Sequence, residues 1–242
     1  MYGMGGEDNR LGTADAASAL AWWLEAGVDI AVAEAPRNWL KPRTEPVRAE
    51  QAQTEPPAAA DPDLPDTLDL FRDWLEEAPA LPLANAGARR VLPHGAEAAP
   101  VMLIAEMPSG EDAAQGRPIA GDAWTLMVRM LAAIGIDAAD AYSASLSCFH
   151  SPGTKLDGQE LEACAAIARR HIAAAKPKRL LLLGDVPARA LLGKPLTAAR
   201  GHVHKVEGIR AVVTFHPRQL MTRPSDKALA WRDLLLLMED DS

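Results

Sequence analysis

The chain has 242 residues, 48% of them hydrophobic and 24% charged, with a formal net charge of −8. That is enough apolar material for one sizeable domain plus an appendage, and no run of about 18 apolar residues offers a membrane span. Two Cys and no basic region followed by an apolar stretch argue against a disulfide framework and a secretory route, and read as a cytoplasmic chain.

The acidic total is unevenly spread. Residues 1–66 hold 5 Lys and Arg against 12 Asp and Glu. Residues 169–232 hold 14 basic residues against Asp185, Glu207 and Asp226. A concentrated basic surface can bind phosphates in spite of an acidic total.

In chain order, Ala14 to Gly27 reads as an Ala-rich helix carrying Trp22 and Trp23, with Gly27 as its stop. Adjacent tryptophans on a short helix point to docking on the main domain or on a protein partner. From about Arg37 to Pro65 the chain is rich in Pro, Glu and Ala with no period, a flexible linker. The domain boundary is therefore set at residue 66, giving segments 1–66 and 67–242.

Strand and helix signals then alternate. Asp66 or Thr67 caps a helix through Glu77, and Val101–Ala105 is the first central strand. Asp122 opens a helix through Ile134, Ala141–Leu146 is a weaker strand, and Gly158 to Ala175 is a helix ending before Lys176-Pro177. Arg179–Leu183 is a continuous apolar strand, as expected when both faces are covered. Asp185 caps a short helix to Leu192, Val203–Val206 forms a small strand, and Arg210–Thr214 is the last central one. Ser225 caps the final helix, to about Glu239. This alternation predicts a three-layer α/β/α domain around a mainly parallel four-stranded sheet.

Two of these strands run into loops that carry ionisable groups. Val101–Ala105 leads into Glu106-Met107-Pro108-Ser109-Gly110-Glu111-Asp112, closed by Gly116-Arg117-Pro118-Ile119-Ala120-Gly121. Ala211–Thr214 leads into Phe215-His216-Pro217. Ligands of open α/β sheets bind outside the carboxyl ends of the strands, so Glu106 and His216 are expected in one cleft.

These motifs, with Cys148, Cys164, Leu183-Gly184-Asp185 and the final stretch Lys227 to Leu234, resemble the uracil-DNA glycosylase superfamily, most closely its bacterial and archaeal iron–sulfur branch. The resemblance covers roughly residues 70 to 240. It implies a DNA-repair glycosylase that removes uracil or a related damaged base from single- or double-stranded DNA; a monomer is expected, since nothing in the sequence demands a dimer. A non-catalytic paralogue that binds DNA or a partner is the alternative. The transition state of such a reaction has an oxocarbenium-like sugar and an anionic base, which call for negative charge or a positioned water near the sugar and donors near the base. The nucleotide must also be flipped out of the stack.

By resemblance, Glu106 faces the sugar and His216 donates to the base oxygen. Asp112 falls on the first acid of the family's acidic pair, and Ala113 replaces the second. Met107, Pro108, Ile119 and Ser145 are the expected base pocket. Ile119 stands where the family has a stacking Phe. The family's base-reading Asn is absent: counting back from Cys148 reaches Ala144, and counting on from Tyr142 reaches Ser145. Arg218, Gln219, Leu220 and Arg223 are expected DNA contacts, with Leu220 or Met221 as a wedge or as ordinary core. The branch's cluster is a four-iron centre held by four Cys. Cys148 and Cys164 match two ligands, while Ala78 and Leu81 stand in the other two positions, so no metal or cofactor is expected.

Overall fold

The apolar runs in the second half of the chain pair into one twisted sheet. The computed structural model describes residues 64–84 and 88–239. The expected helix at 14–27, with Trp22 and Trp23, and nearly all of the expected linker lie outside them.

Five strands form the sheet: β1 (Met102–Ala105), β2 (Tyr142–Ser145), β3 (Arg179–Leu183), β4 (Val203–Val206) and β5 (Ile209–Thr214), in the order β2-β1-β3-β5-β4. Four strands run parallel, as predicted. The sheet has five strands rather than four because β4 turns back through Glu207-Gly208 and pairs antiparallel with β5 at the edge. Val206 is its one fully buried residue, so its sequence carries no strong inward face.

The helices are α1 (Leu68–Glu77), α2 (Gly110–Gln115), α3 (Gly121–Ala133), α4 (Gly158–Ala175), α5 (Asp185–Leu192), α6 (Leu196–Ala199), α7 (Pro217–Thr222) and α8 (Lys227–Met238). A 3₁₀ turn, Pro224–Asp226, precedes α8. The N-cap of α8 is therefore Asp226, not Ser225. The short helices α2, α6 and α7 have four to six residues, too few for a 3.6-residue period to stand out in sequence.

Strand alternation divides the core into two layers. Met102, Ile104, Leu180, Leu182, Ala211 and Val213 pack with α4 and α5, through Cys164, Ala168, Ile172, Ala188 and Leu191. Val101, Leu103, Ala105, Leu181, Leu183 and Val212 pack with α3 and α8, through Met127, Leu131, Ala230, Leu234 and Leu237. Every residue of β1 and the last four of β3 are buried, which explains why both read as unbroken apolar runs. A third cluster joins Phe71 and Leu75 of α1 to Ala78, Leu81, Cys148, Phe149 and Ala174.

His171 of α4 is fully enclosed between these layers. Its Nε2 lies 2.7 Å from the Tyr142 hydroxyl, and its ring stacks on Phe71 at 4.6 Å. Burial, with help from the Arg72 charge, pushes its pKa down to about 3.

Candidate active site

The strand order identifies where the crevice lies. From β1 the chain goes outward to β2, then crosses back over β1 to β3, so connections leave β1 and β3 in opposite directions. Such a switch point opens a crevice at the carboxyl ends of the two strands. Glu106 follows β1, Asp185 follows β3, and His216 follows β5. Glu106 and His216 therefore emerge from the same sheet edge, separated by β3. Two strand spacings amount to roughly 10 Å, room for a nucleoside between them.

The Glu106 loop is held from three sides. The Ser147 N–H donates to the Glu106 carbonyl at 3.1 Å. His150 lies with Nδ1 2.8 Å from the Pro108 carbonyl. Ser109 caps α2: its hydroxyl accepts from the Asp112 N–H at 3.2 Å, and its own N–H donates to Asp112 Oδ2 at 2.8 Å. This reciprocal capping box satisfies two N-terminal donors at once. Gly121, at φ 59°, opens α3 against the Glu111 carboxylate, where any Cβ would collide. The Glu106 carboxyl is half-buried, and that burial, reinforced by the negative charge of Asp185, raises its pKa above the usual carboxylate value.

His216 caps α7, with Pro217 at the first helical position. Its Nδ1 accepts the Arg218 backbone N–H at 3.2 Å. A ring nitrogen that accepts is unprotonated, so the neutral ring carries its proton on Nε2. Burial pushes its pKa down to about 4, the Arg218 charge adding to the effect and Asp112 opposing it. The ring is therefore neutral at pH 7 and is a donor through Nε2.

Asp112 is fully buried. Besides the Ser109 N–H and hydroxyl it accepts Arg218 Nη2 at 2.6 Å on both carboxylate oxygens. This ion pair ties the loop after β1 to the turn after β5, 106 residues apart. It engages the guanidinium that the sequence offered as a DNA contact.

The remaining expected site residues divide. Met107 is half-buried against the α4 layer, and Pro108 is buried. Ile119 is 1% exposed and belongs to the α3 layer of the core. In the strand register Ser145 stands opposite Ala105, immediately before Glu106, and its hydroxyl is buried without a hydrogen-bond partner. Ala144 lies one residue deeper, in the core. Leu220 is 1% exposed and packs with the α8 layer, so the apolar side chain that faces solvent in that turn is Met221. Gln219 reaches Asp226 at 3.4 Å, and Arg223 is exposed. Several cations of the basic stretch are matched by carboxylates: Arg169 with Glu207, Lys176 with Glu97, Arg189 with Asp185, and Arg200 with Asp233.

The residues present do not fit a four-iron cluster. Ala78 and Leu81 are buried with Cys148 in one apolar cluster, and beside it lies an apolar cavity of about 560 Å³ lined by Trp74, Leu81, Pro82 and Ile167. Burial pushes the Cys148 and Cys164 thiols up to about 12, whereas a metal ligand must be a thiolate. Among the described residues no group of three or more His, Cys, Asp or Glu side chains is arranged to hold a metal ion. The segment after α1 is fastened differently. Arg90 donates to the carbonyls of Leu75, Glu76 and Ala78, and its guanidinium lies 5.5 Å from the Phe149 ring centre.

Sequence reasoning gave Asp185 as a helix cap and as part of the Leu183-Gly184-Asp185 motif, and gave Arg90 no role; in the structure Gly184 is the N-cap of α5 and the Asp185 carboxylate accepts the Leu196 N–H instead. Asp185 had a signal, for it follows an apolar strand just as Glu106 does. Arg90 had none, since its partners are backbone carbonyls.

Residues 92–235 match the model of the Uracil DNA glycosylase superfamily. A 147-residue stretch is 24% identical to the type-4 uracil-DNA glycosylase of Pyrobaculum aerophilum, covering 56% of this chain and 75% of that protein. The type-4 uracil-DNA glycosylase of Archaeoglobus fulgidus is 26% identical over 54% of this chain and 71% of its own length. That of Saccharolobus solfataricus is 24% identical over 72% of this chain and 86% of its own length.

Proposed function

The chain belongs to the uracil-DNA glycosylase superfamily, and on that premise we propose that it hydrolyses the N-glycosidic bond of uracil, or of a related damaged base, in DNA and leaves an abasic site. The observation that carries this reading is a carboxyl group, Glu106, on the same sheet edge as a neutral imidazole, His216, whose free donor is Nε2.

The flipped nucleotide lies between the two groups. As the bond from C1′ to the base nitrogen lengthens, positive charge grows on the sugar and negative charge on the base. The Glu106 carboxylate stabilises the former and orients a water whose oxygen bonds to C1′. The water proton passes to Glu106. His216 donates a hydrogen bond from Nε2 to the base oxygen, and the base leaves as an anion. A preorganised donor of this kind is worth about 10²–10³ in rate. Ser145 is the hydroxyl next to Glu106 on the β2 side and can offer the base one hydrogen bond. DNA is the partner, and a DNA-acting enzyme of this kind works in the cytoplasm. No described helix is long and apolar enough to cross a membrane.

A second reading is favoured by one observation. Ile119 lies in the core, so no aromatic ring stands at that position to stack on an extruded base, a contact worth about 1–3 kcal/mol. A glycosylase fold that binds DNA or a partner without excising a base fits that loss.

The deciding experiment is incubation with labelled single- and double-stranded oligonucleotides containing uracil, followed by alkaline cleavage at abasic sites. Cleaved product supports the glycosylase. Intact DNA that is nevertheless bound by folded protein supports the binding reading.

A further inference from the structure

We propose that His150 is a positioning residue for Glu106: its Nδ1–H, donated to the Pro108 carbonyl, clamps the loop that carries the carboxyl group onto the segment after β2. The proposal rests on the glycosylase reading for the use made of Glu106. The clamp itself is independent of that reading.

The loop after β1 is zipped to the segment after β2 beyond the last residues of both strands. The Leu146 N–H donates to the Ala105 carbonyl at 2.9 Å, and the Ser147 N–H donates to the Glu106 carbonyl at 3.1 Å. Pro108 has no N–H, so its carbonyl is the backbone group through which it can be held. The His150 ring holds it, with Nδ1 2.8 Å from that oxygen. A carbonyl only accepts, so Nδ1 carries the proton. The other ring nitrogen, Nε2, lies against the first turn of α2, 3.6 Å from where a Cβ on Gly110 would stand.

The imidazole has a firm base. The neighbouring Phe149 is buried, forms an antiparallel bridge with Arg90, and donates its N–H to the Ser147 hydroxyl at 3.2 Å. A shift of the loop must therefore break the Nδ1 bond, because His150 is not free to follow. On the far side the Ser109 N–H is committed to Asp112 at 2.8 Å. With Glu106 held from β2 and Ser109 fixed on α2, the Pro108 anchor sets the path of Met107 and Pro108 between them. That path fixes how deep the Glu106 carboxyl sits. A displacement of about 1 Å at a reacting group can cost on the order of 10²-fold in rate.

The test uses the full chain with ¹³C-labelled glutamate carboxyl groups, the Glu106 signal being identified by its absence in Glu106→Gln. Its titration midpoint reports the depth of the carboxyl, since burial is the first cause that holds it above 4.5 and the Asp185 charge the second. In His150→Leu the midpoint is expected to fall towards 4.5, and single-turnover excision to slow by about 10²-fold with DNA affinity retained. Loss of an imidazole charge alone would raise the midpoint, because a nearby cation favours the carboxylate. His150→Asn, whose amide N–H stands near the place of Nδ1, returns both readings towards the original. His150→Gln, whose amide reaches towards the place of Nε2, does not.

A midpoint unchanged or raised in folded His150→Leu would overturn the proposal, as would rescue by Gln equal to that by Asn. If His150→Leu does not fold, the comparison of Asn with Gln decides the matter. The midpoints need no DNA, so an absence of excision in the unsubstituted protein would sink the proposed function and leave the clamp to be judged on the midpoints.

Discussion

Glu106 and Asp185 stand at the carboxyl ends of the neighbouring parallel strands β1 and β3, and the charge of Asp185 helps hold the Glu106 carboxyl above its ordinary range. The Asp185 carboxylate is fixed in turn: one oxygen accepts the Leu196 N–H at 2.7 Å and the other meets Arg189 at 2.6 Å.

The ionised form of Glu106 does the proposed work, so excision should decline as pH falls through its raised pKa, on a limb lying above the ordinary value of 4.5. Glu106→Gln and His216→Ala should each slow excision by about 10²–10⁴-fold, measured by single-turnover cleavage with DNA binding followed in parallel. Asp185→Asn should shift the acid limb downward. Full activity in both Glu106→Gln and His216→Ala would remove this site from consideration.

Ser145 carries a buried hydroxyl with no partner. Replacing it by Asn supplies an amide with a donor and an acceptor, and should raise the preference for uracil over other bases by about tenfold or more. Competition between oligonucleotides containing uracil and hypoxanthine would measure it. An unchanged ratio would mean that Ser145 does not face the base.

Acid should weaken the fold through His171 and His216. Both have folded pKa values below the ordinary 6.5, at about 3 and about 4. Between pH 6.5 and those values the unfolded chain binds the protons and the folded chain does not. Stability is therefore whole above pH 6.5 and is lost as pH falls, each group contributing up to about 1.4 kcal/mol per pH unit. Urea midpoints at pH 7.0 and 5.0 should show the loss, and His171→Phe should flatten it while costing stability at pH 7, because the Tyr142 hydroxyl loses its 2.7 Å contact with the imidazole.

The purified protein should contain no stoichiometric iron or labile sulfide, and a chelator should leave its melting temperature unchanged. The Cys148 and Cys164 thiols, pushed up to about 12, should react slowly with iodoacetamide at pH 8 until the chain is unfolded. Arg90→Met strips a donor from three carbonyls and should cost on the order of 3 kcal/mol, read by urea unfolding. Iron at four atoms per chain would refute the apolar reading of this region.

What the sequence shows on its face is what repeats or runs. The strands β1 and β3 are legible because four apolar residues in a row are buried on both faces. The strand ends then point to Glu106 and His216. β4 and α7 are less legible, since one has an exposed, polar face and the other is six residues long. Arg218 illustrates the limit. A basic residue beside a His-Pro turn reads as a phosphate ligand, and only the fold brings a buried carboxylate from 106 residues away to meet it. Ile119, in the turn before α3, and Leu220, on α7, likewise have the chemistry of a pocket or a wedge, and the fold buries both.

The Arg90 fastening has a consequence for the life of the protein in its cell. A fold closed by a guanidinium on backbone carbonyls is complete when translation and folding end. On the reading that the chain holds no cluster, such a fold would wait for no delivery of iron and sulfide and would compete with no other apoprotein for them.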